Sequence, residues 1–175
     1  LSSVGAYGAC RAGTINENSK EQPLRVYERT KTESDNIVKN SSIPYVILRP
    51  SNVFGKDMPN ESLRRLLELV RKGLFFFIGK ENESLVNYVH VSDVVDALLL
   101  CGSDKKSLGE VFNLSQSSTV ENMINSFSFE MESEKKILRL PKYFVRVIAA
   151  VLGWIPSFPL TSSRVDALTG RCIYN

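Results

Sequence analysis

Tyr27 and Lys31 stand four residues apart in a stretch, Leu24 to Lys39, whose pattern predicts a helix. At that spacing both side chains leave the same helix face, one turn apart. The chemistry such a pair can do is proton transfer. A free phenol, with a pKa of about 10, is a poor base at neutral pH, and a fixed ammonium beside it favours the phenolate. A phenolate can take a proton from a carbinol or return it to a carbonyl. By itself the spacing does not separate an acid–base pair from two neighbours on a solvated helix face. Metal chemistry is poorly supplied. Cys10, Cys101 and Cys172 are widely spaced and the sole histidine is His90, so no metal site is expected.

Positioning the pair takes a core, and 175 residues at 43% hydrophobic are enough to bury one. A formal charge of +3 lacks the basic footprint of a nucleic-acid binder and is compatible with an anionic small ligand. Residues 1–22 are rich in Gly, Ser and Asn and read as loop. Pro23 suits the first turn of the helix that carries Tyr27, and Asn40-Ser41-Ser42 stops it. Tyr45 to Leu48 is apolar on both parities, as in a strand covered on both faces of a parallel sheet.

Beyond Pro59, Leu63, Leu66, Leu67 and Val70 form one face of an amphipathic helix that Gly73 ends. Strands are expected at Leu74 to Ile78 and Val86 to Val91, with a turn at Gly79 to Glu83. Ser92 is placed to cap a helix from Asp93 to Leu100, whose apolar composition predicts burial. Val111 to Leu114 is another strand, and Ser118-Thr119-Val120-Glu121 has the form of a capping box. A short strand at Ile137 to Leu140 precedes an apolar helix from Pro141 to about Gly153, and Thr161 to Gly170 is a last helix. The apolar stretch Phe144 to Leu160 carries Arg146 and is broken by Gly153, Pro156 and Pro159, which favours a buried helix and loop over a membrane segment. Alternating strands and helices predict an α/β fold with a parallel sheet.

Three further segments accompany Tyr27 and Lys31: Leu1-Ser-Ser-Val-Gly-Ala-Tyr-Gly8, Leu48-Arg-Pro-Ser-Asn-Val-Phe-Gly55 and Val89-His-Val-Ser-Asp93. In this order and spacing the set resembles the extended short-chain dehydrogenase/reductase family, in particular its NAD-dependent epimerase/dehydratase branch, with Phe54 where a Tyr is usual. The resemblance covers essentially the whole chain, including its Pro159-Leu-Thr-Ser-Ser-Arg-Val-Asp-Ala-Leu-Thr-Gly170 tail. It implies the C-terminal part of a Rossmann-type parallel sheet plus a small α/β substrate lobe. Residues 1–58 would belong to the NAD-binding domain and carry the catalytic helix. Residues 59–175 would be mostly substrate lobe, with 86–115 returning to the sheet.

The resemblance also implies roles. Ser3 would hydrogen-bond the reacting oxygen of the substrate. Tyr27 would be the acid–base, and Lys31 would hold the nicotinamide ribose. The turn from Pro50 through Asn52 would touch the nicotinamide end of NAD (or NADP), with Asn52 also facing a sugar diphosphate. His90 and Asp93 read first as structural, Asp93 as a favourable charge at a helix N-terminus.

Departures from the family pattern narrow the reading. The glycine fingerprint that seats a dinucleotide pyrophosphate is missing, with Arg11 at its third glycine. The chain is therefore expected to be the C-terminal half of a longer enzyme, with much of the NAD site supplied upstream. Val4 and Gly5 replace the Asp-Glu pair of the dehydratases, which argues against elimination chemistry. Val86 and Asn87 stand near the place of a phosphate-pairing Arg. The leading expectation is a nucleotide-sugar epimerase. Alternatives are an NADP-dependent ketone reductase or hydroxy-dehydrogenase of the same superfamily, or a non-catalytic binding module. A cytoplasmic homodimer packed partly through the Tyr27 helix is expected, with no nucleic-acid partner.

Overall fold

A computed structural model describes residues 1–8, 12–58, 61–130, 137–152, 165 and 168–175. They form two compact units. The first contains Leu1–Met58, Asn87–Ser117 and Cys172–Asn175, and the second contains Pro59–Val86 and Ser118–Arg171.

In the first unit, a 3-10 turn at Val4–Tyr7 leads to strand β1 (Gly13–Ile15), helix α1 (Val26–Lys39), β2 (Ile47–Pro50) and β3 (Asn52–Phe54). Strand β5 (Leu85–His90) runs directly into α3 (Val91–Ser103), and β6 (Val111–Leu114) and β9 (Cys172–Tyr174) complete it. All four residues of β2 are buried, and it pairs in parallel with β6, Ile47 opposite Val111 through Pro50 opposite Leu114. The apolar run predicted such a doubly covered strand at Tyr45 to Leu48; it begins two residues later and runs on through Arg49 and Pro50. A second parallel ladder joins β3 to β5, and a third joins β1 to β9. The last lies partly in what reads as loop, because a strand of Gly, Thr and Ile among polar residues leaves no periodic signal.

The second unit contains α2 (Glu61–Lys72), β4 (Phe76–Ile78), α4 (Val120–Glu130), β8 (Leu138–Leu140) and α5 (Lys142–Leu152). Strands β4 and β8 pair in parallel, and Val70, Phe75, Phe77, Val120 and Ile124 form one core cluster. Gly73 ends α2 at φ +71°, as its position suggested. Strand β7 (Gln116–Thr119) was not visible in the sequence. It takes up the first residues of the supposed capping box, so Thr119 rather than Ser118 accepts the amide of Asn122, and Glu121 turns to Arg139 at 2.9 Å.

Two apolar helices are less buried than their composition implied. In α3 only Val94 is buried, while Leu99 and Leu100 are 68% and 67% exposed. In α5, Val145 and Ala149 are buried but Tyr143, Phe144 and Val147 are exposed. Composition reports how much apolar surface a helix carries, not how many of its faces find a neighbour. The expected last helix, Thr161 to Gly170, falls mostly outside the described residues. No described helix is long and apolar enough to cross a membrane.

Candidate functional site

Helix α1 begins where Glu28 turns its side chain back and accepts the amides of Leu24 and Arg25 at 2.8 and 3.0 Å. This satisfies donors that a helix start otherwise leaves unpaired, and it sets α1 two residues later than Pro23 suggested. Tyr27 lies in that first turn and is 58% exposed. One turn on, the Lys31 ammonium is 6.0 Å from the Tyr27 ring centroid and donates to the Leu1 carbonyl at 3.4 Å.

Ser3 precedes the 3-10 turn and accepts the amide of Gly5 on Oγ at 3.1 Å. That turn lies close against α1. A Cβ at Gly5 would be 3.3 Å from Ser3 Oγ and 3.4 Å from Glu28 Cγ, the residue after Tyr27. The first distance would ask Ser3 to give by a few tenths of an ångström, and the second is ordinary van der Waals contact. The segment carrying Ser3 and the helix carrying Tyr27 and Lys31 are therefore neighbours.

Pro50 is buried at the end of β2. Asn52, two residues on, is exposed and donates through Nδ2 to the Asn87 carbonyl at 3.1 Å. Asn87 is held in turn, donating to the Cys172 carbonyl at 2.8 Å and accepting from Ser117 Oγ at 2.7 Å. Beside Asn87, burial pushes the Tyr88 phenol above its ordinary value.

His90 is structural in its contacts, and it corrects the expected cap. Its Nδ1 accepts the Ser92 amide at 3.3 Å, so His90 rather than Ser92 caps α3, with Phe54 edge-on at 5.1 Å. Asp93 sits in the first turn of α3 and accepts from Ser92 Oγ at 3.3 Å. Among the described residues no group of three or more His, Cys, Asp or Glu could hold a metal ion.

Sequence reasoning passed over the most densely bonded part of this region. Arg49, 1% exposed, lies in the apolar run of β2 and pairs with Asp35 of α1 and with Glu21. Its guanidinium stacks 4.9 Å above the Tyr7 ring, and Tyr7 donates to Asn113 Oδ1 at 3.0 Å. Burial works against the Arg49 charge, but the Glu21 and Asp35 carboxylates outweigh it and hold the guanidinium more firmly protonated than usual. Burial likewise raises the Glu21 carboxyl, and Arg49 and Lys39 outweigh that and hold it below its ordinary range. A signal was present: an arginine inside a buried strand needs an acidic partner, and Asp35 lies one turn past Lys31.

Comparison with known proteins adds the family. Residues 1–115 match the family model described as NAD dependent epimerase/dehydratase family. No curated protein matches the chain. Among solved structures, the chain resembles a UDP-glucuronic acid 4-epimerase from Bacillus cereus in complex with NAD, at 21% identity and a TM-score of 0.65, covering 97% of this chain and 57% of that one. It also resembles a UDP-glucose 4-epimerase from Thermotoga maritima with UDP-glucose, at 26% identity and a TM-score of 0.61, covering 96% and 60%. A third is the terminal R domain of the myxalamid PKS-NRPS biosynthetic pathway, at 19% identity and a TM-score of 0.66, covering 96% and 44%. The chain thus spans about half the length of these structures. Their fold is the Rossmann-like α/β arrangement expected from the motifs, and together with the matched motif segments it leads to one statement of kinship: the chain belongs to the NAD-dependent epimerase/dehydratase family.

Proposed function

We propose that the chain is the C-terminal part of an NAD-dependent nucleotide-sugar epimerase. The observation that carries this reading is the Lys31 ammonium, set between the Leu1 carbonyl and the Tyr27 ring on the helix that packs against the Ser3 turn. It is supported by the family match and by neighbours crystallised with NAD and with nucleotide sugars.

In this reading Tyr27 takes the proton of a sugar hydroxyl and later returns it, while Ser3 Oγ hydrogen-bonds the same oxygen. The donor set suits the nicotinamide end of a dinucleotide: a phenol and an ammonium for ribose hydroxyls, with Pro50 and Asn52 nearby in sequence on β2 and β3. NAD, when bound, would accept and give back the hydride. Lys31 holds the ribose and keeps a positive charge beside Tyr27. Asn52 faces the sugar diphosphate. The unit with β2 and α1 serves as part of the cofactor domain, and the unit with β4 and α5 as substrate lobe. Exposed Val26, Ile37 and Val38 on α1 support a homodimer packed through this helix.

The test is turnover of UDP-glucose and UDP-glucuronic acid by the polypeptide that contains this chain. Tyr27→Phe is expected to lower it by about 10²- to 10⁴-fold with the fold intact. Unchanged turnover removes Tyr27 as the acid–base. A second reading, an NADP-dependent ketone reductase or hydroxy-dehydrogenase acting on an apolar substrate, is favoured by Val86 and Asn87 standing near the place of a phosphate-pairing Arg. Retention of a labelled hydride through turnover supports epimerisation, and net oxidation of free NADPH supports the reductase.

A further inference from the structure

One buried carboxylate oxygen ties together the segments to which the chemistry has been assigned. Asp35 lies on α1, four residues after Lys31, and its Oδ2 accepts three hydrogen bonds: from Ser2 Oγ at 2.9 Å, Arg49 Nε at 3.0 Å and Arg49 Nη2 at 2.8 Å. Ser2 immediately precedes Ser3. Arg49 immediately precedes Pro50. The carboxylate itself rides on the helix of Tyr27 and Lys31.

We infer that Asp35 is a positioning residue, which sets the Ser3 turn in register with Tyr27 and Lys31; this rests on the acid–base reading above. The physical reason is directional. A buried carboxylate is tolerated only while charged or strongly polar donors meet it, so withdrawing any one of them leaves a buried charge short of partners. Arg49 cannot follow a displaced Asp35, because it is also held by Glu21 and by the face of Tyr7. Ser2 is held from a second side, its amide donating to the Leu48 carbonyl at 2.7 Å. The helix therefore cannot slide or rotate past the Ser3 segment without breaking bonds at a single atom. Asp35 acts through Ser2 and the helix backbone rather than on substrate.

The test uses Asp35→Asn, which keeps the shape and one acceptor oxygen, together with Ser2→Ala and the double variant. With UDP-glucose as probe, Asp35→Asn is expected to lower kcat by about 10- to 100-fold with KM little changed, the scale of a small misplacement of reacting groups. Deuterium at the sugar C4 should then give a larger isotope effect, because the hydride step has slowed relative to the others. The double variant should be no slower than Asp35→Asn alone, since both changes remove the same coupling. An isotope effect that stays fixed while activity falls in proportion to the folded fraction, read by circular dichroism, overturns the inference, as do additive losses in the double variant.

Tyr27→Phe run alongside separates the two readings. If it keeps its turnover, or if the parent does not epimerise UDP-glucose, amide hydrogen exchange decides the role of Asp35 by itself. Asp35→Asn should speed exchange at Ser2, Gly5 and Ala6 as well as along α1. Faster exchange confined to α1 overturns the inference.

Discussion

The Lys31 ammonium lies 6.0 Å from the Tyr27 ring centroid, a proximity legible in the sequence because four residues along a helix bring two side chains onto one face. Asp35, Arg49 and Glu21 were not read: an arginine in a buried strand signals that it needs an acidic partner, but the signal does not choose Asp35 and Glu21 among the acidic residues of the chain. Their cluster makes a definite statement about pH. Glu21 titrates below its ordinary value of 4.5 in the folded chain. The unfolded chain therefore takes up that proton first as the solution is acidified. The contribution of Glu21 to stability is complete above the ordinary value and is lost as pH falls through the lower, folded one. Urea unfolding midpoints should decline as pH falls through 4.5 and below, and Glu21→Gln should show a shallower decline. An identical decline in the variant would mean that its pairing with Arg49 and Lys39 contributes nothing.

At the scale of elements, the sequence identified those whose signal is local. Helix α2 followed from Leu63, Leu66, Leu67 and Val70, and β2 and β6 from short apolar runs with no polar face. Strands β1 and β7 escaped because Ile15 is the one apolar residue between them, and β3 and β9 because each is only three residues long between polar or glycine neighbours. The junction of β3 with α3 turned on a glycine whose importance lies in space rather than in backbone angle. A Cβ at Gly55 would sit 2.8 Å from Val91 Cγ1, and a β-branched side chain in a helix has little freedom to turn away. Gly55→Ala should cost about 1–3 kcal/mol by denaturant unfolding, and most of that cost should vanish in a Val91→Ala background. Equal costs in both backgrounds would place the strain elsewhere.

For the molecule as a whole, the exposed apolar residues of α3 set solution behaviour. Val95, Leu98, Leu99 and Leu100 are all exposed on this one helix, and contiguous exposed apolar residues mark faces that associate. The 175-residue chain on its own should bind a hydrophobic dye and elute from size exclusion above its 19.6 kDa. Leu99→Lys with Leu100→Glu should reduce both effects without lowering the unfolding midpoint. Monomeric elution and no dye binding in the parent would show that this face needs no cover.

The ladder between β1 and β9 also bears on how the protein is made. Gly13, Thr14 and Ile15 pair with Cys172, Ile173 and Tyr174, and the Ile15 cluster with Val4, Tyr7 and Cys172 closes only when those late residues arrive. They emerge from the ribosome long after β1. The β1 segment must therefore wait for the residues between it and Cys172 to be made before it gains this neighbour, while segments such as α2 can settle as they emerge. A nascent chain stalled before Cys172 should leave Gly13 to Ile15 open to protease, and a chain extended past Tyr174 should shut them away.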